Sequence, residues 1–374
     1  MTWSAEVPYN ELPVLPPEAD FESRAVLKDV IRARAALAAL DQAAKRMQNP
    51  LVLVNSLSLL EAQASSEIEN IVTTTDELFR FAEQAVTDSA SAETRETLRY
   101  RAALFTGMRA IQKRPISVNT AIEVCRRIHD REIRVRDLPG TIIWNAQAQR
   151  AIYTPPTGEA VILQKLDNWA AFIHTRAEID PLVITAIAHY QFEAIHPFSD
   201  GNGRTGRILN ILQLVEAGLL SEPILYLSRF IIQNKDEYYR LLLAVTTDGA
   251  WEEWIRFLLR GIEETATKTL QKIDRIQELQ ERFRGVIRAN TTAGSNADLL
   301  DVLFENPYAR INQVIERCSV SRPTATGWLN ALVAKGVLFD VKAGRERLFV
   351  NAELMQILAS DEDLPRAAEA DRLF

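Results

Sequence analysis

Cysteine, histidine, net positive charge and long apolar runs are all scarce in this chain, and each scarcity removes a class of function. The only cysteines, Cys125 and Cys318, stand far apart with no metal-type spacing. They read as free thiols of a reducing compartment, so a cytoplasmic location is expected. Histidine occurs four times, at 129, 174, 189 and 196, which leaves few candidates for a catalytic imidazole. The net charge of -7 provides no global basic field for nucleic acid or an anionic membrane. No apolar run approaches the roughly 20 residues of a membrane span. Met1 to Asp20 lacks the basic-then-apolar pattern of a secretory leader, so no membrane partner is expected. Internal repeats and long low-complexity tracts are missing too. What is present is a 374-residue chain with a hydrophobic fraction of 47%, enough for a full core in two or three domains.

Most of the chain carries helical periodicity. Leu27 to Met47 reads as a helix with Val26, Leu27, Ile31, Ala35 and Leu40 on its apolar face. Asn49-Pro50 ends it, and Leu51 to Ala64 reads as a second helix, followed by a shorter segment from Ser65 to Asn70. Thr73-Thr74-Thr75-Asp76 starts another by capping. Thr94 to Gln112 and Val118 to His129 continue the pattern. Gly140 to Trp144 and Ala151 to Thr154 read as a hairpin, stopped by Pro155-Pro156. Asp180-Pro181 is a cap followed by a first-turn proline, and the helix it starts, Leu182 to Ile195, is apolar nearly all round and so central. Ile262, Ala266, Leu270, Ile273, Ile276, Leu279, Phe283 and Ile287 mark one long amphipathic helix linking domains. Beyond Asn290, Asp298 to Phe304, Ile311 to Cys318 and Arg322 to Lys335 read as short helices. Val337 to Asp340 and Arg347 to Val350 read as strands about a turn at Gly344. That order suggests a winged helix-turn-helix.

The richest chemistry lies between two apolar helices, in His196-Pro197-Phe198-Ser199-Asp200-Gly201-Asn202-Gly203-Arg204-Thr205-Gly206-Arg207. A helix starting near Gly203 would aim free N–H groups and the positive end of its dipole into this loop. Such an end binds phosphate, and glycines allow close approach. Arg204 and Arg207 supply forked cationic donors. Asp200 suits Mg²⁺, which takes one or two carboxylates and fills its shell with phosphate oxygens and water. His196 is the candidate base. A glycine-rich turn alone is usually just a turn, and a histidine before proline is usually a cap. Here twelve residues hold a phosphate-transfer role for every polar group. His189, Glu193 and His196 do not have the HExxH arrangement, so no histidine metal site is expected. His129 and His174 read as surface or packing residues.

His196 to Arg207 resembles the Fic-family signature HPFx(D/E)GNGRxxR at every specified position. The proline-rich Tyr9 to Pro17, the Tyr153-Thr154-Pro155-Pro156 hairpin end and the C-terminal tail also resemble a bacterial group of these proteins. Most members are protein AMP transferases. The resemblance implies that His196 deprotonates a Tyr, Thr or Ser hydroxyl of a target protein, and that oxygen attacks the α-phosphate of ATP. Asp200 would hold Mg²⁺, or Mn²⁺, on the α- and β-phosphates. Gly201, Asn202 and Gly203 would form the anion hole, with Pro197, Thr205 and Gly206 beside the nucleotide. Arg204 would meet the β-phosphate and Arg207 the γ-phosphate. Asn234 would contact adenosine, with Tyr238 and Tyr239 either in the base pocket or packing their helix. Phe198 would anchor the loop. The kinase branch of the family has Lys where this chain has Gly203, which favours AMP transfer. The signature alone does not separate AMP transfer from phosphocholine transfer.

Ser65-Ser66-Glu67-Ile68-Glu69-Asn70 resembles the family's inhibitory pattern, (S/T)xxxE(G/N), through Ser65, Glu69 and Asn70. Ser65 and Glu69 share a helix face, and Glu69 would pair with Arg207 in the γ-phosphate site. The 140–156 hairpin resembles a flap that docks an extended target by β-augmentation; a purely structural hairpin is the plainer reading. Trp144 either packs or faces the target. The expected fold is mainly α: a Fic helical bundle with a β-hairpin flap and a C-terminal winged helix. Domains are expected over 1–105, the N-terminal region with the inhibitory motif, and 106–260, the catalytic core. A linker helix over 261–290 and the winged helix over 291–374 would follow. Rival readings are AMP removal through Glu69, and a DNA-binding regulator using Arg322 to Lys335 with Lys342, Arg345 and Arg347 in the wing. Acids at Glu316, Asp340 and Glu346 dilute that patch, so DNA is not the favoured partner. A homodimer through helical faces is a further partner reading.

Overall fold

The computed structural model describes residues 3–82, 90–145, 149–175, 179–294, 296–343 and 346–360. Side-chain caps start the N-terminal helices. Ser23 accepts from the Val26 N–H at the head of α1 (Arg24–Arg46), and α2 (Leu51–Ile68) begins after Pro50. Thr74 caps α3 (Thr75–Phe81), and Ser91 caps α4 (Ala92–Ile111). Ser117 and Thr120 close a reciprocal box on α5 (Val118–His129). A hairpin follows, β1 (Ile143–Asn145) with β2 (Arg150–Tyr153), antiparallel with Ile143 opposite Tyr153. Its tip, 146–148, lies outside the described residues.

Next come α6 (Glu159–Ile173) and α7 (Pro181–Ile195), the latter capped by Asp180 with proline in its first turn. They are followed by α8 (Asn202–Glu216), α9 (Ser228–Gln233), α10 (Lys235–Asp248) and α11 (Trp251–Asn290). The C-terminal part contains α12 (Ala297–Glu305), β3 (Tyr308–Arg310), α13 (Ile311–Cys318) and α14 (Arg322–Ala334). It ends with β4 (Phe339–Ala343), β5 (Glu346–Val350) and α15 (Ala352–Ala359).

The molecule is mainly α, as expected. α7 is central: almost every residue is buried, and it packs against α6, α8 and α11. The Trp254 and Trp169 indoles donate to the Ala186 and Ala188 carbonyls at 2.7 and 3.0 Å, which fixes α11 and α6 to it. Burial matches the periodicity of the long helix from Ile262 to Ile287, but that helix begins at Trp251, ten residues before the expected linker. Its first turns form the bundle core with Trp254, Phe257 and Leu258, and α1 lies along it.

Three local readings need correction. Leu27, Ile31 and Ala35 of α1 are exposed, and the buried stripe is Val26, Val30, Ala33, Leu37 and Leu40. The 3.6-residue period allows two overlapping stripes there, and packing on α11 selects one. The separate segment expected at Ser65 to Asn70 is the last turn of α2, continuous to Ile68. In the C-terminal part β3 joins β5, giving the order β3-β5-β4, and α15 is added. The expected turn at Gly344 and the wing residue Arg345 lie outside the described residues.

Candidate active site

The loop at 196–201 is shaped by two left-handed residues. His196 closes α7 with φ 49°, and Gly201 starts α8 with φ 79°. A Cβ at Gly201 would lie 2.4 Å from His129 Nε2, so glycine is required on two counts. Phe198 is fully buried. The Asn202 side chain staples the loop, accepting from the Phe198 N–H and donating to the Phe198 carbonyl, both at 2.8 Å. This leaves its backbone N–H, with those of Gly203 and Arg204, as the first donors of α8. The Thr205 N–H is the first to find an intrahelical acceptor, Gly201 O at 2.9 Å.

The cations of α8 are already held. Arg207, buried, donates from Nε to Ser65 Oγ at 2.8 Å. Its Nη2 reaches Ser65 O and Glu69 Oε1, both at 2.9 Å. Glu69 Oε1 also lies 2.5 Å from where a Gly203 Cβ would stand. A carboxylate therefore occupies the N-terminus of α8. Burial alone would raise the Glu69 pKa, but Arg207, then Arg204 and His196, outweigh it and leave it lowered. Asn70 sits in the left-handed region at φ 63°, and the Ile71 N–H returns to Ser66 O at 3.0 Å. That explains an Asn or Gly after the glutamate: the chain must turn off the helix there.

Arg204 is likewise buried and donates to Glu96 Oε1 of α4 at 2.5 Å. Asp200 is the exposed member, its side chain 63% accessible. Its Oδ1 accepts from the Gly201 N–H at 2.6 Å, and its carboxylate faces His129 and Arg204, each at 3.9 Å. One accessible carboxylate fits an ion that draws its remaining ligands from phosphate and water. Among the described residues no cluster of three or more His, Cys, Asp or Glu could hold a metal. Burial first, then Arg136, pushes His196 down to about 4, so its imidazole is neutral at pH 7.

His196, Gly203, Arg207 and Glu69 line one side of a cleft of about 630 Å³. The other walls are Trp144 and Ile152 of the hairpin and Tyr238, Tyr239 and Thr246 of α10. Tyr238 is buried and shares a hydrogen bond of 2.9 Å with His189 Nε2, so it both packs and lines the cleft. Asn234 lies at the α9–α10 junction, its amide donating to Phe230 O at 2.9 Å; the wall beside it is Lys235. A Gly206 Cβ would lie 2.4 Å from Glu193 Oε1, and Pro197 is buried with its carbonyl accepting from the Arg136 N–H at 2.9 Å. Burial pushes Glu193 up to about 7 and both cysteines to about 11. Glu96, Arg136 and Lys235 were not singled out from the sequence, and Glu193 was weighed there only as a member of a histidine metal site. Nothing local marks Glu96, which lies 108 residues from its partner.

Fold and site together define a helical protein that presents a neutral imidazole beside an anion-binding helix terminus. Three family models match: Fic/DOC family N-terminal over 27–109, Fic/DOC family over 115–214, and Protein adenylyltransferase SoFic-like, C-terminal domain, over 279–354. The chain belongs to the Fic/DOC family. It is 28% identical over 186 residues to the Protein adenylyltransferase Fic of Drosophila willistoni, covering 49% of this chain and 34% of that protein. With the Drosophila virilis protein of the same name, identity is 29% over 157 residues, covering 41% and 30%. The chain thus spans about a third of the length of these curated relatives. A crystal structure of a Fic family protein from Desulfovibrio desulfuricans has the same fold, with a TM-score of 0.58 at 18% identity, covering 90% of this chain and 98% of that one. A variant of Fic-1 from C. elegans superposes with a TM-score of 0.51 at 19% identity over 66% of this chain and 72% of its own. No helix among the described residues is long and apolar enough to cross a membrane.

Proposed function

We propose that this chain transfers AMP from ATP to a Tyr, Thr or Ser hydroxyl of a target protein, and that Glu69 holds it largely off. The carrying observation is the Glu69 carboxylate bound at the head of α8, 2.9 Å from Arg207. A side-chain anion sits where a phosphate anion would, so the site is an anion cradle with its own occupant. With Glu69 withdrawn, Arg207, still held on Ser65, has guanidinium donors to offer the terminal phosphate. Arg204 and the Gly203 N–H take the preceding oxygens, and the aromatic cleft has room for a purine nucleoside.

His196 takes the proton of the target hydroxyl as that oxygen bonds to the α-phosphorus. The bond from the α-phosphorus to the bridging oxygen breaks, and pyrophosphate leaves with the electron pair. Asp200 would hold Mg²⁺ or Mn²⁺, which supplies neutralisation of phosphate charge when bound. Positioning and charge do most of the work. The target docks along β1, whose hydrogen-bonded partner in the two-stranded sheet is β2, with exposed Ile142 and Trp144 beside it.

The test is mass spectrometry of a cell lysate treated with ATP and the Glu69→Gly chain. Proteins carrying an added AMP on a hydroxyl support the reading. Transfer of phosphate or phosphocholine instead, or no transfer, overturns it. AMP removal is a second reading, favoured by the position of Glu69 in the same cleft as His196. Release of AMP from a modified target, with metal and no ATP, would establish it.

A further inference from the structure

Arg136 lies between α5 and the hairpin, in a stretch without regular structure. Its residue is only 7% exposed, and among the described residues no carboxylate pairs with it. Burying a cation without a counter-ion is costly, so its partners carry the explanation. All are backbone carbonyls. Nε donates to His196 O at 2.7 Å. Nη2 donates to Ile195 O at 3.2 Å and to Pro156 O. The Arg136 N–H also donates to Pro197 O at 2.9 Å. One residue therefore holds three consecutive carbonyls, 195 to 197, together with the segment that leaves β2.

Those carbonyls belong to the end of α7, where helical acceptors lose their intrahelical donors. His196 there adopts φ 49° and ψ 60°. For a residue with a Cβ this left-handed conformation is unfavourable, and it persists only where the surroundings over-determine it. The planar guanidinium fork meets that need, whereas an ammonium offers a single point of charge. The hairpin side is anchored to the same place: Tyr153 OH donates to Ala194 O at 2.9 Å.

We infer that Arg136 is a positioning residue for His196, fixing the left-handed backbone that aims the imidazole and tying that conformation to the end of the flap. The inference rests on His196 being the base, as proposed above. Docking of a target on the hairpin and aim of the base are then set through one side chain.

The test uses the full chain carrying Glu69→Gly, with Arg136→Gln or Arg136→Lys added. Misaimed base geometry costs on the order of 10²-fold. The rate at saturating ATP should fall by roughly that factor in Arg136→Gln, with ATP affinity within about twofold of the parent. Arg136→Lys, which keeps charge but loses the fork, should fall between. Full rate in either variant overturns the inference, as does a parallel loss of ATP affinity. Should Arg136→Gln fail to fold, Arg136→Lys decides alone: a normal melting curve with full rate overturns it. An inactive parent would instead overturn the AMP-transfer reading. Hydrogen exchange then carries the Arg136 test, since Arg136→Gln or, failing that, Arg136→Lys should expose peptides covering 192–198 and 150–157 together. Unchanged protection in both would overturn the coupling.

Discussion

Glu69 contacts Arg207 through a charge-assisted hydrogen bond while standing against Gly203. Such bonds are worth about 1.5–3 kcal/mol, so Glu69→Gly should raise AMP incorporation by roughly 10–100-fold, read with labelled ATP. No gain over wild type would remove the brake assignment. His196→Ala in that activated chain should lose roughly 10²–10⁴-fold in rate; an undiminished rate would show that the imidazole is not the base. Gly203→Ala places a methyl group 2.5 Å from the Glu69 oxygen, in the space an entering phosphate needs. Weakened ATP binding is the expected result, measured by calorimetry on the Glu69→Gly chain, and unchanged affinity would count against the cradle.

Helix ends carry the proposed control. α2 stops because Asn70 turns left-handed, and this turn presents Glu69 to α8. Valine resists that backbone, at a cost of roughly 1–2 kcal/mol, whereas glycine accepts it. Asn70→Val should therefore loosen Glu69 and raise labelling several-fold, with Asn70→Gly close to wild type; equal labelling in both would sink this reading of the turn. In the C-terminal module, Arg317 pairs with Glu305 and Arg347 with Asp340, each at 2.8 Å. Of these two cations only Arg347 belongs to the wing of the rival DNA reading, and an acid meets it there. That module also touches the brake region: Asn306 and Arg310 donate to the Phe79 and Arg80 carbonyls at 3.1 and 2.8 Å, at the end of α3.

Several buried titrating groups govern the stability of the whole molecule with pH. Burial pushes His189 to about 3 and His196 to about 4, and pushes Glu61 and Glu193 up to about 7. The unfolded histidines bind protons first, so their contribution is present above pH ~6.5 and lost as pH falls towards those folded values. The carboxyls run the other way, since they stay protonated in the fold. Their contribution is present below pH ~4.5 and lost as pH rises through about 7. Between about 4.5 and 6.5 the two trends oppose. Below that window the histidines and the lowered Glu69 and Asp41 all act in one direction, losing stability as pH falls. Thermal melting should therefore show a shallow plateau from about pH 4.5 to 6.5 and a steep loss beneath it. A monotonic fall from pH 7 to 4.5 would contradict these burial effects.

The amino-acid sequence by itself determined the parts whose causes are local. The α7–loop–α8 junction was legible because its glycines, cap and arginines lie within twelve residues. The proposed Ser65–Glu69–Asn70 brake was legible because one helical turn spaces it. The Asp180-Pro181 start and the apolar repeat from Ile262 to Ile287 announce themselves in the same way. Tertiary structure alone decided which stripe of α1 is buried, since that depends on α11 arriving alongside. It also decided that Glu96 meets Arg204, that Glu193 closes against Gly206, and that Arg136 holds the His196 carbonyl. These contacts join residues 13 to 108 positions apart, and a lone Arg or Glu in a loop or helix has no periodicity to mark its partner. Even for Asn202, read as part of the anion hole, only the folded loop decided that the side chain bonds to the Phe198 backbone.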